Sequence, residues 1–213
     1  MALSVNRPSG HHHGDLRNAL EEAALALVSE RGPRGFTLAE ASRRAGVSVA
    51  APYKHYADRD ALLASLALRG YREQRQRFAS AVAGVSDPAG QLAAFASAYV
   101  TFAVEERSLF EITFAAGLDK ASYPELSEAR SAVLSVLTSP AGQLRGDPAD
   151  ALDLVLTVAA SAHGLAVFLL EGVFGSVPDA LSKTRERAES TARRLAGQSG
   201  GGLRDSVPPA CAP

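Results

Sequence analysis

An all-α protein of about nine helices is what the sequence predicts, on three observations. Aromatic residues make up only 6% of the 213 positions while alanine is abundant, a balance that favours closely packed helices over a sheet built on β-branched and aromatic strands. Apolar residues recur at helical spacing in one segment after another, and no segment shows clean period-two alternation. Third, Gly and Pro punctuate the chain at intervals suited to helix ends. The hydrophobic fraction of 46% and charged fraction of 21% are those of an ordinary globular chain with a real core. Its one cysteine, Cys211, stands in a Pro-rich tail. No intrachain disulfide or cysteine metal cage can form, so a reducing, cytoplasmic setting is expected. The N-terminus has no apolar stretch of the kind a secretory signal carries.

The first helix is read from Asp15 to about Glu30. Leu16, Ala19, Leu20, Ala23, Ala24, Leu27 and Val28 mark one helical face, and Gly32-Pro33 ends it. Thr37 followed by Glu40 forms a capping box, so a second helix is expected to start at Leu38, with Gly46 as the left-handed residue that stops it. Ser48 is placed to cap a third helix beginning at Val49. Pro52, at the fourth position of that helix, distorts its first turn without ending it. Two short helices joined by a tight turn fit a helix-turn-helix, although any αα-hairpin shares the outline. What separates the two is the run of small side chains followed by Tyr53, Lys54, His55 and Tyr56.

A fourth helix is signalled by Asp58, Asp60 and the leucines 62, 63, 66 and 68, running to about Ala83 before a break at Gly84 to Pro88. Five more are read at about 88–106, 108–118, 124–138, 148–174 and 178–197, four with proline near the start. The apolar run from Leu154 to Leu170 is at the short limit of the roughly 17 to 25 residues of a membrane span. It is interrupted by Thr157, Ser161, His163 and Gly164 and has no flanking Lys or Arg, so it is read as a buried helix. The Gly, Pro and Ser of the tail from 198 are read as disordered.

The net charge of −1 hides a split. Residues 1–80 hold 12 Lys and Arg against 8 Asp and Glu, and residues 81–213 hold 10 against 15. A basic front on an acidic body suits a polyanion partner for the front alone. Four segments follow: an N-terminal arm (1–14), a helix-turn-helix domain (15–60), a helical effector-binding and dimerisation domain (61–197) and a tail (198–213).

From Phe36 to Leu63 the chain resembles the DNA-binding domain of the tetracycline-repressor (TetR) family of bacterial transcriptional regulators. The residues that carry the resemblance are Thr37-Leu38, Ala45-Gly46-Val47-Ser48, Tyr53-Lys54-His55-Tyr56 and Asp58 to Leu63. Ala41 and Ser42 depart from the usual apolar pair. Members with a similar recognition segment also begin with a segment like His12 to Arg17, and carry a C-terminal domain named for a W-H-G motif. Ala162-His163-Gly164 stands at that place here, without the tryptophan. Tyr99 to Ala103 and Leu109-Phe110 are similar to that domain's fifth and sixth helices. The resemblance implies a cytoplasmic, homodimeric repressor, released from a pseudo-palindromic operator by a small-molecule ligand. It implies no cofactor and no enzyme activity, and it assigns dimerisation to the last two helices, about 148–174 and 178–197.

In a helix-turn-helix the second helix faces base edges and flanking groups hold phosphates. Ser48, Val49 and Ala50 lie at the groove-facing end, where short side chains can meet a thymine methyl but make no bidentate hydrogen bond. Lys54 and His55 are the long polar candidates. The resemblance makes Thr37, Tyr53, His55 and Arg59 phosphate anchors. Arg43 is a further DNA candidate, or with Arg44 a solvated pair. Tyr56 is assigned chiefly to the core and Tyr53 equally to either role. For the ligand, Phe95, Tyr99, Phe102, Phe110, Phe114 and His163 are concentrated enough to line a pocket, with core packing as the alternative. A lone imidazole in an apolar helix needs a hydrogen-bond partner.

Rival classes are weaker. No G-x-S-x-G, Gly-rich phosphate loop or H-E-x-x-H is present, and Ser161 and His163 point about 200° apart on a helix. His11 to His13 are open to three readings: a remnant of a tag, a loose metal site without partners at ligand spacing, or an arm that lies along DNA and binds more strongly below about pH 6.5. A DNA-binding regulator without an effector also fits.

Overall fold

The computed structural model describes residues 12–119 and 122–198. Among them are nine α-helices and two short 3-10 segments, with no strand. The helices are α1 (His12–Arg31), α2 (Leu38–Arg44), α3 (Arg59–Ala83), α4 (Pro88–Glu105), α5 (Arg107–Ala115), α6 (Pro124–Leu134), α7 (Thr138–Leu144), α8 (Pro148–Leu170) and α9 (Val177–Gly197). The expected all-α class, a helix-turn-helix front and a helical remainder, is the fold observed. Two compact units form: one from the described residues of Met1–Tyr71 and Glu106–Ser127, the other from those of Arg72–Glu105 and Glu128–Pro213. Helix α3 contributes to both.

The first unit is organised around α1. Leu20, Ala24, Leu27 and Val28 are buried there with Phe36, Leu38 and Ala41 and with Leu62, Leu63 and Leu66 of α3. Each fully buried Leu contributes about 1.5–3 kcal/mol of transfer free energy, which is what holds short α2 in place. Gly70 is buried where α3 meets α5; a Cβ there would sit 2.9 Å from a Thr113 methyl carbon, so the crossing depends on the missing side chain. The Tyr71 hydroxyl donates to the Thr113 carbonyl at 3.1 Å.

In the second unit α4 packs against α8 and α9. Ten of its eighteen residues are buried. On α9 the buried row is Ala180, Thr184, Ala188, Ala192 and Ala196, a strict i, i+4 series of small side chains that lets two helices approach closely. Leu181 and Leu195 are only half-buried, because the four-residue repeat sets them beside the seam. By length and composition α8 is apolar enough to cross a membrane. In this fold it packs against α4, α7 and α9, with Leu154, Val155, Val158, Ala162, Ala166 and Leu169 buried.

Several expected boundaries move. Helix α1 begins at His12 and so includes Gly14, ahead of the expected start at Asp15; His11 lies outside the described residues. Helix α8 ends at Leu170 and not at 174. Gly172 takes φ of 74°, its N–H bonds to the Leu169 carbonyl at 3.1 Å and the Val173 N–H to the Phe168 carbonyl at 2.9 Å, the paired bonds of a Schellman stop. The expected helix at 124–138 divides instead into α6, a 3-10 turn at Ser135–Leu137 and α7. Pro140 sits in the first turn of α7, where its missing N–H costs little; the segment is a helix start and not the expected helix end.

Candidate nucleic-acid interface

The capping box expected at Thr37 is complete. Its hydroxyl oxygen accepts from the Glu40 N–H at 3.2 Å, and its own N–H donates to Glu40 Oε2 at 2.8 Å. Glu40 is also paired with Arg31 at 2.9 Å. The Thr37 N–H holds the Glu40 carboxyl below its ordinary range, with the Thr37 hydroxyl and Arg31 adding to the effect. Helix α2 stops at Gly46, whose φ is 72°. The Gly46 N–H bonds to the Arg43 carbonyl and the Val47 N–H to the Ser42 carbonyl, at 3.1 and 3.0 Å. The turn is thus fixed by two backbone bonds and one glycine.

The segment after the turn is not the helix expected from Val49. Ala51–Lys54 form one 3-10 turn, and Ser48 does not cap it: the N-cap position is Ala50, with no side-chain bond. Proline explains the difference. Pro52 has no N–H to reach the Ser48 carbonyl four residues back, so only the shorter bond from the Ala51 N–H to that carbonyl forms, at 3.0 Å. The Pro52 carbonyl then accepts from His55 and Tyr56, at 2.8 and 2.9 Å, which closes the turn.

This geometry sorts the candidate side chains. Ser48, Val49, Ala50, Tyr53, Lys54 and His55 are exposed along one short segment, while Pro52 and Tyr56 are buried beneath it. Tyr53 is 61% exposed and Tyr56 4%, so the two aromatic rings divide between solvent and core. Arg43 and Arg44 are exposed on α2, and Arg44 pairs with Glu30 at 2.7 Å. Arg59 stands at the start of α3 with its Nε and Nη2 on Asp60 Oδ1, so its guanidinium is already engaged. Asp58 caps α3 by accepting from the Ala61 N–H at 2.8 Å.

Sequence reasoning missed Glu21. Its Oε1 accepts from the Tyr56 hydroxyl at 2.8 Å, the Ser65 hydroxyl at 3.0 Å and Arg17 Nε at 3.2 Å. Burial pushes this carboxyl up, but the bonds from Tyr56, Ser65 and Arg17 outweigh burial and hold it below the usual range. Burial and the bond to Glu21 raise the Tyr56 phenol in turn. One carboxylate therefore ties α1, α3 and the residue that closes the recognition segment. The only sequence signal was an acid on the apolar side of the first helix, beside Leu20 and Ala24.

The six expected ligand residues fall in both units. Phe95, Tyr99 and Phe102 of the second close around Phe78, with ring centroids 4.9, 5.5 and 6.1 Å from it. All four rings are buried. The Tyr99 hydroxyl lies 3.1 Å from His163 Nδ1, which supplies the imidazole's partner, and burial pushes the His163 pKa down. Phe110 and Phe114 belong to the first unit, where their centroids are 5.2 Å apart; Phe114 is 48% exposed. Among the described residues, no three His, Cys, Asp or Glu side chains converge on a metal site.

Comparison with known proteins finds two family matches along the chain. Residues 20–66 match the N-terminal domain described as bacterial regulatory proteins, tetR family, and residues 92–193 match a tetracyclin repressor-like C-terminal domain. Among solved structures, a protein of unknown function from Rhodococcus sp. RHA1 is similar with TM-score 0.73 at 29% identity, over 90% of this chain and all of that one. The TetR-family transcriptional regulator PfmR from Thermus thermophilus gives 0.64 at 20% identity, over 84% and 96%. AibR, solved with isovaleryl coenzyme A and operator DNA, gives 0.65 at 16% identity, over 83% and 97%. No curated protein matches the sequence at a significant level.

Proposed function

From a chain that carries the N-terminal domain of the tetR family of bacterial regulators together with a tetracyclin repressor-like C-terminal domain, we propose a cytoplasmic, homodimeric repressor that leaves its operator when a small molecule binds. The observation that carries the reading is the exposed segment Ser48 to His55. A capped helix and a two-bond glycine turn position it, and the buried Tyr56–Glu21 pair backs it. Val49 and Ala50 meet base edges, where their small size admits the backbone into the major groove. Lys54, Tyr53, His55 and Arg43 reach phosphates or base edges from its flanks, and Thr37 and Arg59 reach phosphates once they exchange part of their present hydrogen bonds. The functional segments are 15–60 for DNA and 61–197 for effector and dimerisation, with an arm and a tail outside them.

One such unit presents few charges, so two are needed, about 34–36 Å apart on a pseudo-palindrome. Helices α8 and α9 are the pairing surface in this reading. Leu156 on α8 remains 48% exposed, which suits burial against a second copy. The C-terminal domain is of the W-H-G type, on Ala162-His163-Gly164, and His163 with Tyr99 is the polar point in an apolar interior. The ligand acts by binding the DNA-incompetent state more tightly, with α3, which contributes to both units, as the element that moves.

The test is a footprint of the purified protein on the DNA flanking its own gene, repeated across a salt series. A protected near-palindrome whose affinity falls steeply with salt is expected. No protected site at any salt concentration overturns the reading.

A further inference from the structure

The second unit contains an open cavity that shares no residue with the aromatic group around Phe78. It holds about 410 Å³, within the span of small-molecule sites. Leu134 of α6 with Leu152 and Val155 of α8 form apolar walls, Ser135 and Thr138 bring hydroxyls, and Arg145 brings a cation. Its lining mixes apolar surface with one full positive charge.

Arg145 decides the ligand class. A guanidinium has five N–H donors. Nη1 donates to the carbonyls of Leu144 and Ala196 at 3.1 and 3.0 Å, and Nη2 to that of Leu195 at 2.7 Å. Three donors thus fix the group on the C-terminal end of α9. The Nε–H and the second Nη2–H have no partner among the described residues. These two lie parallel on one edge of the plane, the pair a carboxylate takes side-on. No described carboxylate is paired with Arg145, so its charge is met only by carbonyl dipoles. A held cation with a free two-donor edge, beside leucine and valine, is chemistry for an acid with an apolar tail.

We infer that this cavity binds a small apolar monocarboxylate and is the effector site of the regulator; the second half of the inference rests on the proposed function.

Titration calorimetry of the full-length protein with sodium octanoate, and with 1-octanol as the uncharged counterpart, tests the cavity. Two variants accompany the wild type. Gly142 lines the cavity, and a Cβ there would meet nothing within 4 Å, so Gly142→Leu fills the space while leaving Arg145 alone and improving a helix position. Arg145→Gln removes the free edge. Saturable octanoate binding is expected, with octanol at least tenfold weaker. Gly142→Leu should lose octanoate binding at least tenfold without a lower melting temperature, and Arg145→Gln should abolish the preference for acid over alcohol. Absence of saturable octanoate binding, or wild-type affinity in Gly142→Leu, overturns the cavity assignment. Fluorescence anisotropy of an operator duplex tests the effector half: octanoate should release the wild type and spare Gly142→Leu. Octanoate that binds while the operator complex persists overturns the effector half alone. A wild type that binds no operator refutes the proposed function and leaves the calorimetric result standing.

Discussion

Replacing Glu21 by Gln removes one charge and almost no volume, and the structure fixes what that costs. Glu21 is 8% exposed, and three donors converge on its Oε1. A carboxylate oxygen tolerates this crowding because it carries charge, whereas an amide oxygen has less charge to share among three donors. Hydrogen bonds to a charged acceptor contribute about 1.5–3 kcal/mol against about 1 for a neutral one, so the two hydroxyl bonds together lose about 2 kcal/mol. Arg17 and Arg69, 56% and 42% exposed in their pairs with Glu21, add no more than about 0.5 kcal/mol after solvent screening. The expected cost at pH 7 is about 2–2.5 kcal/mol, which for a chain of this size lowers the melting temperature by about 4–10 °C. The pH dependence follows from the sign of the shift. The folded carboxyl titrates below the free value of 4.5, so its stabilisation is complete above that pH and is lost as pH falls through the lowered folded value. Urea denaturation of both proteins between pH 7 and pH 3 measures the gap. It should be full at pH 7 and narrow on acidification. A gap under about 0.5 kcal/mol at pH 7, or one that stays constant to pH 3, would show that Glu21 does not hold the network through its charge.

Three further perturbations probe the second unit. Burial depresses the His163 pKa below 6.5, so the folded state binds fewer protons and loses stability as pH falls from 6.5 toward the lowered value; thermal melts at pH 7.5 and 5.5 should show a decline in wild type that His163→Gln lacks. Phe78→Ala opens the centre of four buried rings and should cost about 3–5 kcal/mol in chemical denaturation. Leu156→Asp places a charge on an exposed α8 position outside the cavity. Sedimentation should then report a monomer that retains its helical circular dichroism, and a persisting dimer would move the pairing surface elsewhere.

How much of the fold was legible depended on whether the signal was local. The Thr37 and Glu40 box, the Gly46 stop and the Gly84 to Pro88 break are each decided within about five residues, and all stand in the structure. The errors share a cause: two local signals compete and the weaker one looks stronger in sequence. At α8 the apolar period continues through Val173 and Phe174, but Gly172 makes a left-handed stop cheap and wins. At Pro140 a residue that ends helices also begins them, and which it does depends on whether the next turn has something to bury. Ala141 is fully buried, so α7 forms. At Ser48 a good capping residue is present, yet Pro52 removes the bond that would have extended the helix it was to cap. Glu21 was beyond local reading altogether, since its meaning comes from Tyr56 and Ser65, 35 and 44 positions away.

The ligand residues fail to separate for a deeper physical reason. Aromatic side chains at helical spacing are required equally by a packed core and by a pocket wall, because both need large apolar surface on one helix face. What distinguishes a pocket is missing volume, and volume goes missing where side chains are small. Around Phe78 three further rings, Phe95, Tyr99 and Phe102, pack with it as buried core. Between α6 and α8 the wall includes Ser131, Ser135, Gly142 and Gly146, and there the space survives. A reading that weighted small residues beside one arginine in the short connection 138–147, over rings at helical period, would have found the cavity, and Arg145 would have given it a charge. Gly142→Leu is the decisive substitution for the same reason: it restores the missing side chain and should turn the cavity back into core.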